Sequence, residues 1–107
     1  MAGGSTAMEG LMHAAVRTYS GQGAGALFDV IEERKAEVQA MMEAITGFVS
    51  YAVIRTGEGG VTVTVCDDKA GTDESVRVAR EWVGSNAAAT GAAAPQVSEG
   101  PVILHLG

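Results

Sequence analysis

The chain has 107 residues, 47% of them hydrophobic and 19% charged, with 7 Lys and Arg against 13 Asp and Glu for a net charge of −6. That length suits one domain and leaves no room for two, and the apolar fraction excludes a disordered chain. The acidic balance argues against nucleic acid, whose phosphates need clustered Lys and Arg, and against an anionic membrane surface.

Cys66 is the single cysteine, so no internal disulfide can form. No CxxC or Cys/His cluster suggests zinc. A reducing, cytoplasmic setting follows, with no metal and no cofactor expected. Residues 1–10 begin without the charged and apolar regions of a signal peptide. They read as a disordered leader or a cloning remnant, with the folded domain over 11–107. No apolar run approaches the roughly 20 residues needed to span a bilayer.

The segment Leu11–Tyr19 reads as a strand, ended by the glycine-rich Ser20–Gly25. A GxGxG run can cradle phosphate, but the dinucleotide fingerprint needs G-x-G-x-x-G inside a parallel βαβ unit. Here it reads as a turn into a helix. Leu27, Ile31, Val38, Met42 and Ile45 recur at spacings of three, four and seven, which predicts one helix over Ala26–Ile45. Its charges, from Asp29 to Glu43, read as a solvated face, and Gly47 as its C′ residue.

Phe48–Thr56 reads as a strand, Gly57–Gly60 as a hairpin turn, and Val61–Cys66 as the returning strand. The Val/Thr alternation there has a period of two and is rich in β-branched residues. Thr72 or Asp68 is the best N-cap for a second helix, which places Val76, Ala79, Trp82, Val83 and Asn86 on one face. Small residues from Ser85 to Gln96 follow, their helical extension limited by Thr90, Gly91 and Pro95. A last strand is expected within Val97–Leu106, centred on Pro101–Leu106.

The order β-α-β-β-α-β is the split βαβ, ferredoxin-like signature: an α+β, four-stranded antiparallel sheet with two helices on one face. Two helices can cover only one side. Neither alternating residue set of the strands is consistently polar, unlike a sheet with one wet face. At roughly 25 cal/mol per Å² of apolar area, leaving that second side wet forfeits several kcal/mol. A second copy of the chain is the simplest cover, through a two-fold interface.

The runs Ile45–Arg55 and Val61–Asp67, and the helix segment Ala79–Val83, resemble the dimeric α/β-barrel superfamily, specifically antibiotic-biosynthesis-monooxygenase-like (ABM) domains. The resemblance spans Met12 to Leu106, and the junction at Ile45–Tyr51 carries most of it. It implies two sheets packed face to face as a dimeric α/β barrel, with a pocket between sheet and helices in each protomer. It also implies activities that include cofactor-free oxygenation of polycyclic phenols and haem degradation. The haem-degrading branch uses an Asn on the first strand, a Trp ending the third and a His on the second helix. Here the first strand has no Asn, Cys66 stands at the Trp position, and the second helix has no His.

The candidate pocket-lining residues are His13, Tyr19, Tyr51, Arg55, Cys66 and Trp82. His13 is a base or ligand, or a packed strand residue, and it is positioned to meet His105 if the first and last strands are neighbours. Tyr19 and Tyr51 suit hydrogen bonding to a phenol, or burial at an interface. Trp82 with Asn86 suits a pocket wall or the core. Arg17 and Arg55 lie among apolar strand neighbours; if buried, they need carboxylate partners or an anionic ligand. Cys66 lacks a basic neighbour, and Asp67 and Asp68 raise its pKa, which favours an inert thiol. Two functions remain open: a cofactor-independent oxygenase-like enzyme for a small hydrophobic or aromatic molecule, or a non-catalytic homodimeric barrel binding a metabolite or a protein partner.

Overall fold

A computed structural model describes residues 11–107; the leader expected over residues 1–10 lies outside the described residues. The strands are β1 (His13–Tyr19), β2 (Phe48–Thr56), β3 (Gly59–Cys66) and β4 (Gln96–Pro101). They form one antiparallel sheet in the order β2-β3-β1-β4, the α+β, ferredoxin-like arrangement. Three α-helices, rather than two, cover one side: α1 (Ala24–Glu33), α2 (Lys35–Glu43) and α3 (Lys69–Asn86).

The expected long helix is broken at Arg34, which sits at φ −119° and ψ 34°. Its amide donates to both Val30 and Ile31 carbonyls. The exposed run Glu32–Lys35 offers no apolar side chain to hold a continuous helix against the sheet at that point. Leu27, Phe28 and Ile31 anchor α1, while Val38 and Met42 anchor α2. Gly47 is not the C′ residue, because α2 ends at Glu43. It adopts φ +80° in the turn into β2, where its carbonyl accepts the Asp67 amide at 2.8 Å.

The hairpin turn is two residues, Gly57-Glu58, with φ +55° at Gly57. Glycine at the first turn position suits the type II′ connection that matches strand twist. Asp68 caps α3, its carboxylate accepting the Gly71 amide at 3.1 Å. Thr72, the other expected cap, is instead buried inside the helix.

The last strand is displaced from its expected position. It runs Gln96–Pro101, and the Pro101–Leu106 segment lies mostly beyond it. In the register Pro101 faces His13, the first residue of β1. Past that point, among the described residues, only the Val102 amide finds a backbone partner, the Met12 carbonyl at 2.8 Å. Ile103, Leu104 and Leu106 are 89%, 74% and 82% exposed.

Register assigns the two faces. Ala15, Arg17 and Tyr19 of β1 lie beside Thr62 and Thr64 of β3 and Tyr51 of β2 on the helix-covered side. Val16, Val61, Val63 and Ile54 share the open side, and Ile54 is 47% exposed. The open face is thus more uniformly apolar than the covered one.

Two apolar clusters make the core. One gathers Tyr19, Leu27, Phe28, Ile31, Val38 and Trp82; the other gathers Met42, Ile45, Cys66 and Ala79. Tyr51 packs against both. Phe28 meets Tyr19 edge-on, centroids 5.8 Å apart, and its ring lies over Gly60, where a Cβ would overlap it. An alanine in a strand ordinarily stabilises relative to glycine by roughly 0.5–1 kcal/mol. At Gly60 the sign reverses: Gly60→Ala costs about 1–3 kcal/mol through overpacking, or about 4–8 °C in Tm for each kcal/mol. Thermal denaturation reads this directly, and an unchanged or higher Tm contradicts the packing described.

Candidate functional site

The period of two along β1 sends Arg17 beneath the helices, in the middle of a central strand, between Thr62 and Val97 of its neighbours. It is 3% exposed. Its Nε donates to Thr62 Oγ1 at 2.8 Å, Nη2 to the Tyr51 hydroxyl at 3.0 Å, and Nη1 to the Ser75 carbonyl at 3.3 Å. All three acceptors are neutral. Among the described residues Arg17 forms no ion pair. A guanidinium does not shed its proton in a protein, so a full positive charge is held under the sheet by dipoles alone. Burying such a charge is costly even when hydrogen-bonded.

Tyr51 connects this cation to open space. Its hydroxyl accepts from Arg17, which leaves its own O–H to donate. Burial pushes the Tyr51 and Tyr19 hydroxyls above their ordinary pKa, and the positive charge of Arg17 opposes that rise in both. Tyr51 lines a cleft of about 440 Å³ between β2 and the α1–α2 pair, walled by Phe28, Ile31, Val38, Met42 and Phe48. Glu32, Lys35, Glu43 and Arg55 contribute charge to it. Tyr51 also lines a void of about 20 Å³, together with Arg17, Tyr19, Thr62 and Trp82. That space is water-sized, and it shares Ile31, Val38 and Met42 with the cleft.

The six candidates thus separate. Tyr51 and Arg55 line the cleft; Tyr19, Tyr51 and Trp82 line the void. Arg55 is on the surface, bonded to Asp29 at 2.8 Å and Glu32 at 2.9 Å, which raises its pKa further. The Trp82 indole N–H donates to Glu37 at 2.7 Å. His13 stands apart, its Nδ1 2.8 Å from Thr72 Oγ1 and its Nε2 3.8 Å from Glu99. The expected approach of His105 to His13 does not occur, because His105 lies in the exposed tail past Pro101. Cys66 is buried against Gly71, and burial, Asp68 and Asp67 raise its thiol pKa in that order. Sequence reasoning named Arg17 without placing it at the centre. It does not show Thr62 and the Ser75 carbonyl as partners of Arg17, or Thr72 as the partner of His13. The available signal was threonine, rather than valine, at alternate positions of β3.

Against solved structures, the chain matches the NE2512 protein of unknown function from Nitrosomonas europaea at a TM-score of 0.65 and 13% identity, covering 92% of this chain and 95% of that one. It matches SnoaB, a cofactor-independent oxygenase from Streptomyces nogalater, at 0.55 and 20% identity, over 91% and 96%. It also matches a provisionally assigned antibiotic biosynthesis monooxygenase from Chloroflexus aurantiacus at 0.54 and 15% identity, over 90% and 97%. The chain has the ABM fold. No family model and no curated protein matches the sequence. At these identities the likeness is one of architecture, and the ABM fold sets the Arg17–Tyr51 centre between sheet and helices without assigning it a reaction.

The chain has two tyrosines, so absorbance at 295 nm during alkaline titration reports on them alone. Their raised native pKa favours the protonated form, so their contribution to stability is complete below the unfolded value near 10 and is lost as pH climbs through the native values. Tyrosinate absorbance therefore appears only above pH 10, together with loss of structure. Normal titration at about 10 for either ring, assigned by Tyr51→Phe, contradicts its burial. Tyr51→Phe also leaves Arg17 Nη2 without an acceptor and destabilises by about 1–3 kcal/mol.

Proposed function

We propose that the protein is a monooxygenase-like enzyme that takes a small hydrophobic or aromatic molecule into the cleft between β2 and the α1–α2 pair. The observation that carries this reading is Tyr51, whose side chain lines the cleft and whose hydroxyl accepts from the buried cation of Arg17. A phenolic substrate lying on Phe28, Ile31 and Met42 is placed beside Tyr51. As its phenol ionises, Tyr51 donates to the developing oxyanion and Arg17, behind it, stabilises the charge electrostatically. The electron-rich ring then supplies its own electrons to O₂: one oxygen atom enters the ring as a second carbonyl, and the other leaves as water with the phenolic hydrogen and the hydrogen displaced from the ring carbon, so the phenol becomes a quinone without a cofactor.

Among the described residues no carboxylate or imidazole is bonded to the Arg17–Tyr51 pair to act as base. That observation favours the second reading, a barrel that binds a metabolite or protein partner without turning it over. An oxygen electrode with a panel of polycyclic phenols separates the two. On the first reading, uptake is substrate-dependent and Tyr51→Phe lowers turnover by about 10²-fold. No uptake across the panel, with binding retained, supports the second.

The assembly proposed is a cytoplasmic homodimer through the open sheet face. Val16, Ile54, Val61 and Val63 supply an apolar surface there, and Ile103, Leu104 and Leu106 extend apolar chain beyond it. No helix among the described residues is long and apolar enough to cross a membrane. Light scattering is expected to give twice the 10.9 kDa chain mass, and Val63→Glu to give the single-chain mass. A wild-type protein that scatters as one chain removes the barrel.

A further inference from the structure

A further cavity, of about 180 Å³, adjoins Arg17 between α3, the Ala92–Pro95 segment and β4. Val76, Ala79, Val83, Pro95 and Val97 make it apolar, and its charged lining residues are Arg17 and Arg80, with no acid. This is unexpected in a chain where acids outnumber bases 13 to 7. Three of the other arginines each have a carboxylate: Arg34 pairs with Glu37, Arg55 with Asp29 and Glu32, and Arg77 with Glu74 and Glu81. Among the described residues Arg17 and Arg80 form no ion pair, and both line this one cavity. Arg17 is buried and Arg80 exposed, so one cation lies in the interior and the other is open to solvent.

We propose that this cavity binds a small organic anion: an apolar body about the size of one aromatic ring, bearing an anionic oxygen that is held by Arg17 and Arg80. A cavity of about 150 Å³ accepts a benzene ring, so the volume suits a ring with one attached carboxylate or ionised hydroxyl. The alanines at 92–94 wall it with nothing larger than methyl groups. A guanidinium fork matches an anionic oxygen pair in geometry and charge, and the ligand supplies the countercharge that Arg17 lacks. The cavity is lined by different elements from the cleft; Arg17 serves both readings, and Arg80, which the cleft does not use, separates this site from oxygenation there.

Trp82 is the single tryptophan and shares the small void with Arg17, which makes intrinsic fluorescence a reporter. Benzoate and its neutral isostere benzamide are titrated into the intact protein by fluorescence and calorimetry, with 4-nitrophenolate above its pKa as a third probe. The expected result is benzoate binding at least 10-fold tighter than benzamide and weakening with salt. Arg80→Ala lowers benzoate affinity about 10-fold with Tm unchanged, and Arg80→Lys recovers part of it. Arg17→Gln removes the preference for benzoate; because that variant disturbs the core, the surface variants at Arg80 carry the decision. If 4-nitrophenolate binds with the same Arg80 dependence, the site reads an anionic oxygen; if only benzoate does, it reads a carboxylate. Equal affinity for benzoate and benzamide, or benzoate affinity indifferent to Arg80→Ala, overturns the proposal.

Discussion

A guanidinium without a carboxylate, held beneath three helices by a hydroxyl, a phenol and a backbone carbonyl, organises this molecule. Arg17 joins β1 to β3 through Thr62, to β2 through Tyr51 and to α3 through Ser75. Each bond to a charged donor is worth roughly 1.5–3 kcal/mol, but together they offset a desolvation cost of several kcal/mol. The arrangement is therefore poor evidence for stability and better evidence for use. An apolar residue of similar volume would pack the same space at no electrostatic cost. What the cation adds is a positive potential inside an acidic chain, beside two spaces of different size.

The apolar surface is distributed to match. The helix-covered side buries Arg17, Thr62, Thr64, Thr72 and Ser75, and its hydrophobic contacts divide into two clusters that Met41 and Tyr51 both touch. The valines of β3 face the other way. A single chain thus turns much of its best β-branched surface outward, which is the physical content of the expectation that a second copy covers it.

Much of the architecture was legible because it rests on local periodicity. The Val/Thr alternation of β3 and the glycines at 57–60 are contained in short windows. The same windows do not see register. That β1 begins only at His13, so that among the described residues the pairing past Pro101 is limited to Val102 with Met12, is a non-local fact. So is the break at Arg34, since the apolar stripe keeps helical spacing across it. At the site, Tyr51 and Trp82 were legible as large amphipathic side chains. His13 and Cys66 drew attention through their chemistry, although packing places both away from the cleft. Thr72 and Ser75 look like ordinary helix-start residues, and only the three-dimensional crossing of α3 over β1 makes them partners of His13 and Arg17.

The sheet's two margins are unlike. β4 is six residues long and closes on a proline, which cannot donate to an added strand. β2 is nine residues long, carries Val53 and Ile54 in its exposed half, and has no strand on its outer side among the described residues. Only the charge of Arg55 interrupts it. Such a border is a template for adventitious cross-strand recruitment, so when the protein is concentrated or warmed, its self-association into insoluble material is expected to start along β2 and not along the proline-ended side.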